Sequence, residues 1–141
     1  MDSSEVSGAV RTRNHVLALV VERNPIVQRL ERFFLEQAGY DVEFSNDGIS
    51  ALARAKELHP AILVTEILVP KLDGLTLCRL LKSQPETRSI VVLVLSHLEA
   101  EGRAMEAGAD AFLRKPMTEE PLVEVLGRLV ARHQEILRGK K

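Results

Sequence analysis

Val16-Leu-Ala-Leu-Val-Val-Glu-Arg-Asn-Pro25 is the stretch that decides the fold. Its apolar run, half valine, ends at Val21; it is too short for a stable helix and suits a strand covered on both faces. Asn24 and Pro25 then supply a helix N-cap and a first-turn proline, and Ile26, Leu30, Phe33, Phe34 and Gln37 follow at helical spacing until Gly39. The same strand, helix and stop recur along the chain. They predict strands over 40–45, 61–66, 90–95 and 111–114, and helices over 47–58, 74–83, 99–107 and from 118 to about 137. The last helix is read as burying Leu122, Val125, Leu126, Leu129, Val130, Ile136 and Leu137 on one face. Five strand–helix pairs joined by short loops require a parallel sheet with helices on both sides, a three-layer α/β fold. In such sheets chemistry gathers at the carboxyl ends of the strands, where strand order reverses. That directs attention to Glu22, Arg23, residues 66–74, Ser96, His97, Lys115 and Pro116.

The 141 residues allow one domain, and 45% hydrophobic residues can fill its core without metal or disulfide staples. Residues 1–14, rich in Ser, Gly and charge, read as a flexible tail, 15–130 as the domain, and 131–141 as a basic helix end and tail. One cysteine, Cys78, excludes a disulfide framework and fits a reducing compartment. A formal net charge of −1 gives no reason to expect nucleic-acid or anionic-membrane binding. No apolar run approaches the ~20 residues that span a bilayer, and the N-terminus has no apolar segment of the secretory kind, so the expected location is cytoplasmic.

The strand-end motifs resemble one family. The run 17–25 (LALVVERNP), the run 60–74 (PAILVTEILVPKLDG), the segment 90–96 and the run 107–116 (AGADAFLRKP) are similar to the receiver domain of two-component response regulators, over about residues 15–130. The resemblance implies a flavodoxin-like fold with a five-stranded parallel sheet. It also implies a site in which an acidic pair and an Asp hold Mg²⁺, and that Asp accepts a phosphoryl group from a histidine kinase. Carried over by position, Glu22 and Arg23 fall on the acidic pair and Glu66 on the phosphoacceptor. Ser96 falls on the switch hydroxyl, Phe112 on the switch aromatic, Lys115 on the lysine, and Pro116 on the proline that follows it through a cis bond.

Two positions depart from that pattern. Arg23 stands where a carboxylate would ligate Mg²⁺, and a guanidinium about 5 Å from the ion would be repelled by ~6–7 kcal/mol at an effective dielectric near 20. Glu66 stands where the family has Asp, and its extra methylene is expected to carry the carboxylate ~1.5 Å outward, away from in-line geometry. Mg²⁺ binding is therefore expected to be weak or absent and the aspartyl-phosphate cycle disabled. Two readings of Glu66 stay open: a metal-free mimic of the phosphorylated state with Lys115, Arg23 and Ser96 as partners, or an inert relic. Carboxylate contact with Lys115 or Arg23 favours the mimic; a carboxylate in bulk solvent favours the relic. Its ion pairs are read as exposed, worth about 0–1 kcal/mol. Ser96 to Gly108 is twelve positions, shorter than the family pattern, which puts a standard output interface in doubt.

The remaining candidates have plainer readings. Cys78 reads as a small buried hydrophobe. His15, His59, His97 and His133 lack metal-ligand spacing, although His97 sits beside the site. From Arg128 to Lys141 five basic residues face Glu135 alone, a formal charge of +4 that suits a helix C-terminus. The function expected is a single-domain, receiver-like signalling module, not an enzyme, that acts by protein–protein interaction. Its expected partners are a histidine kinase or a downstream effector, with a homodimer admitted. The alternatives are a working phosphorelay regulator with unusual modification or metal dependence and, more remotely, a small α/β enzyme. No Gly-rich phosphate loop follows the first strand, and no Ser/His/Asp or Cys/His set is gathered to support the last.

Overall fold

The protein is described here by a computed structural model, which describes residues 16–116 and 119–139. The tail 1–14, His15, Thr118, Lys140 and Lys141 lie outside these. Five strands alternate with five helices: β1 (Val16–Val21), α1 (Pro25–Gln37), β2 (Tyr40–Ser45), α2 (Gly48–Leu58), β3 (Ile62–Thr65), α3 (Gly74–Ser83), β4 (Val91–Ser96), α4 (Glu101–Glu106), β5 (Ala111–Arg114) and α5 (Glu119–Gly139). All neighbouring strands are parallel, in the order β2-β1-β3-β4-β5. The chain leaves β1 toward β2 on one side and returns to β3 on the other, so the crevice at the carboxyl ends of β1 and β3 is the topological switch point.

Two apolar layers flank this sheet. Leu19, Leu63, Val92 and Val94 meet α2, α3 and α4 through Ala55, Leu77, Leu81 and Ala104. Val20, Ile62, Val64 and Leu93 meet α1 and α5 through Leu35, Leu122, Leu126 and Leu129. Buried strands are thus apolar on both faces, which is why they read as unbroken runs in the sequence. Caps fix where the helices begin: Asn24 accepts from the backbone N–H groups of Ile26 and Val27, Asp47 from Ser50, and Asp73 from Thr76. Gly74 lets α3 start hard against β3, because a Cβ there would lie 2.2 Å from the Glu66 carbonyl oxygen. At the opposite end of the sheet the Lys82 ammonium donates to the Ile90 carbonyl (2.7 Å) and to Asp110 (2.9 Å), tying α3 to β4 and β5.

Two helical faces differ from the sequence reading. Ile26, Leu30 and Phe33 of α1 point to solvent, and the residues α1 buries are Glu31 and Leu35. The inward line is Gln28, Glu31 and Leu35, whose polar members hide it from a count of apolar spacing. On α5, Leu122, Val125, Leu126 and Leu129 are buried as expected, but Ile136 and Leu137 are exposed. The helix there has run past the sheet it covers.

Candidate functional site

The carboxyl ends of β1, β3, β4 and β5 bring Glu22, Glu66, Ser96 and Lys115 together. Glu66, the residue after β3, is buried, and one of its carboxylate oxygens, Oε2, accepts three hydrogen bonds. The donors are the backbone N–H of Ile67 (2.7 Å), that of Leu68 (3.2 Å) and the Ser96 hydroxyl (2.6 Å). Its other oxygen, Oε1, lies 3.1 Å from the Lys115 ammonium. Lys115, the residue after β5, also donates to Glu22 Oε1 at 2.5 Å, and the Lys115–Pro116 peptide is cis. Glu22 Oε2 in turn accepts the backbone N–H of Asn24 (3.0 Å), which fixes the turn into α1. One ammonium therefore joins two carboxylates, at a site where all three side chains are nearly closed to water.

This buried arrangement corrects two expectations. Glu66 does not reach outward; its extra methylene lets the carboxylate fold back over the end of β3 onto backbone N–H groups and Ser96. Nor are its ion pairs exposed, so losing either partner strands a buried charge, a far larger penalty than a surface pair carries. Burial pushes the Glu66 carboxyl up, but the Ser96 hydrogen bond and the Lys115 charge outweigh it and hold the group below the ordinary carboxylate range. Burial likewise pulls Lys115 down, and Glu22 and Glu66 overcome it, leaving the ammonium raised.

Arg23 is a third correction. Its side chain is exposed on the rim, and among the described residues it makes no ion pair with Glu66 or Glu22. Arg23 thus contributes a positive rim but no second cation beside the carboxylates. The rim encloses a shallow cleft of about 190 Å³ lined by Glu22, Arg23, Asn24, Leu68, Ser96 and Lys115, among others. His97 also lines this cleft; it is exposed, and its backbone carbonyl accepts from Arg114 (3.1 Å). Phe112 is half-buried against the core on the α4 side.

The Mg²⁺ implied by the resemblance finds a poor donor set. Glu22 and Glu66 already spend their oxygens on Lys115, Ser96 and backbone N–H groups, and the position between them and solvent is bordered by a guanidinium. Hard cations need oxygen ligands free to turn toward them. Cys78 is fully buried and burial pushes its thiol up to about 11, which makes it unreactive.

Sequence reading missed two residues here. Gln28 donates its side-chain amide to the Glu22 carbonyl and, at 2.9 Å, to Asn46, bracing the β1 exit against the loop after β2. Glu31, only 2% exposed, has a carboxyl oxygen with no hydrogen-bond partner. Burial first, and then the Glu22 and Glu66 charges, raise this carboxyl to about 8 in spite of Lys115. Their helical register with Asn24 and Leu35 was the available signal.

Fold and site together define a receiver-type α/β domain with a buried polar cluster at its strand ends. Residues 18–127 match the response regulator receiver domain family, and the chain belongs to it. It is 35% identical over 131 residues to the DNA-binding dual master transcriptional regulator RpaA of Synechocystis sp., covering 84% of this chain and 54% of that protein. To Protein PilG of Pseudomonas aeruginosa it is 33% identical, covering 80% of this chain and 84% of that protein. A crystal structure of a putative response regulator from Chloroflexus aurantiacus superimposes with a TM-score of 0.80 at 29% identity, covering 83% of this chain and 98% of that one. The chain spans only about half the length of the first of these relatives. Among the described residues no helix is long and apolar enough to cross a membrane.

Proposed function

We propose that this chain is a pseudo-receiver: a signalling domain, not a classical enzyme, that is not phosphorylated at the usual position and acts through protein–protein contacts. The observation that carries the reading is the Glu66 carboxylate, which reaches both the Ser96 hydroxyl (2.6 Å) and the Lys115 ammonium (3.1 Å). Those are the two groups that the family aims at phosphoryl oxygens, so Glu66 holds both where an acyl phosphate would otherwise recruit them. Its charge is −1 against about −1.5 to −2 for a phosphoryl group, so the mimicry is partial. Mg²⁺ binds weakly, because Arg23 removes one ligand and the carboxylates are engaged. Receivers work with histidine kinases and effectors, and this one meets a cytoplasmic partner of that kind in a fixed state.

Incubation with Mg²⁺ and acetyl phosphate tests this. Intact-mass spectrometry is expected to show no species heavier by about 80 Da, the mass of one phosphoryl group. The double variant Arg23→Asp, Glu66→Asp restores a ligand and a free acceptor and is expected to gain both Mg²⁺ binding and the labelled species. Stoichiometric labelling of the unaltered chain overturns the proposal.

A further inference from the structure

The outward face of α1 is apolar where a solvated helix normally carries polar groups. Ile26, Leu30 and Phe33 are 68%, 45% and 56% exposed, and their spacings of four and three place them on one stripe opposite Glu31 and Leu35. Three large side chains along one stripe form an exposed patch of the kind that marks an interaction site. Beside the stripe, on the same flank and seven residues apart, stand Arg29 and Glu36, one toward each end of the helix. Arg29 has no ion pair among the described residues, and Glu36 meets only Arg32, at 3.1 Å on the open surface.

This pattern is complementary to itself. When two copies of α1 lie antiparallel about a two-fold axis perpendicular to the helices, Leu30 of each faces Phe33 of the other. The flank carrying Arg29 and Glu36 then stays on one side. Arg29 of each copy is thereby brought within reach of Glu36 of the other, giving two pairs, and the helix dipoles run antiparallel. A parallel arrangement would put the two flanks on opposite sides of the seam and pair Arg29 with Glu36 on neither. We propose that α1 is an isologous contact between two copies of this chain, centred on Leu30 and Phe33. The opposed flanking charges single out a second copy over a partner that would need only an apolar surface. The stripe is smaller than the ~800 Å² per partner of a standard interface, so association is weak and concentration-dependent. This contact uses none of Glu22, Glu66, Ser96 or Lys115 and stands apart from the reading of the site.

Sedimentation velocity on the full chain, from about 10 μM to about 1 mM, reads it directly. The mass is expected to move from the 15.7 kDa of one chain toward twice that value. Phe33→Glu is expected to abolish the shift; because Phe33 is exposed, its unfolding midpoint should be unchanged. Arg29→Glu and Glu36→Arg are each expected to weaken association roughly fivefold, and an equimolar mixture of the two to recover it, because the mixed pair again opposes unlike charges. A chain that stays monomeric at about 1 mM overturns the proposal, since a foreign partner then covers the stripe. So does a dimer that survives Phe33→Glu, or a mixture that associates no better than the single variants.

Discussion

Replacing Glu31 by glutamine removes a titrating group from between α1 and the sheet while keeping its shape. Burial, with Glu22 and Glu66 nearby, raises the Glu31 carboxyl from an ordinary 4.5 to about 8. An acid with a raised folded pKa is deprotonated first in the unfolded chain, so the unfolded chain binds fewer protons between those values and stability falls as pH rises through them. At ~1.36 kcal/mol per unit, about 3.5 units correspond to ~5 kcal/mol across the window, with ~3 kcal/mol already lost at pH 7. Against a typical stability of ~5–15 kcal/mol this is a large share. Glu66 is lowered and Lys115 raised, so their contributions lie fully in place throughout this range. Urea unfolding at pH 5, 6, 7 and 8 should show the chain weakening with pH and the Glu31→Gln curve nearly flat. The gap between them should widen by roughly 1.4 kcal/mol per unit toward pH 8. Two parallel curves would refute the reasoning, because Glu31 would then titrate alike in both states.

Lys115→Met leaves two buried carboxylates without their shared cation and is expected to cost about 3–5 kcal/mol at pH 7, a penalty that shrinks in acid as those groups protonate; urea unfolding at pH 7 and pH 4 measures it. Ser96→Ala removes a hydrogen bond to a charged acceptor and is expected to cost about 1.5–3 kcal/mol. It should also raise the pH at which the Glu66 carboxyl signal titrates in carbon-detected NMR. Gly74→Ala puts a Cβ 2.2 Å from the Glu66 carbonyl oxygen. A backbone shift must follow, and a loss of roughly 1–3 kcal/mol in urea unfolding is expected.

Most of the fold was legible because the strands are buried on both faces and caps punctuate the helices. The bounds of α3, Gly74–Ser83, and of β5, Ala111–Arg114, follow from the sequence as read. Asn24 caps α1 as its position before Pro25 implies. The inward face of α1 was only partly legible, since apolar spacing picks Ile26, Leu30, Phe33 and Phe34, of which only Phe34 packs against the core, while the chain buries Glu31. A charged residue is placed inward only by contacts that other strands supply, and those are invisible in a local window. The convergence of Glu22, Glu66, Ser96 and Lys115 was legible by position on strand ends. The side-chain directions were not: whether Glu66 folds back or reaches out, and whether Arg23 turns in, depend on which donors lie within hydrogen-bond reach of the one and which acceptors lie near the other.

A carboxylate joined to the chain by carbon–carbon bonds has no hydrolytic lifetime. An acyl phosphate decays and can be removed by water or by an enzyme, whereas the carboxylate that Glu66 offers to Ser96 and Lys115 lasts as long as the polypeptide does. If the chain is the pseudo-receiver proposed above, the quantity of this arrangement in a cell follows the rates of synthesis and proteolysis. It is a dose set by copy number, with no clock of its own.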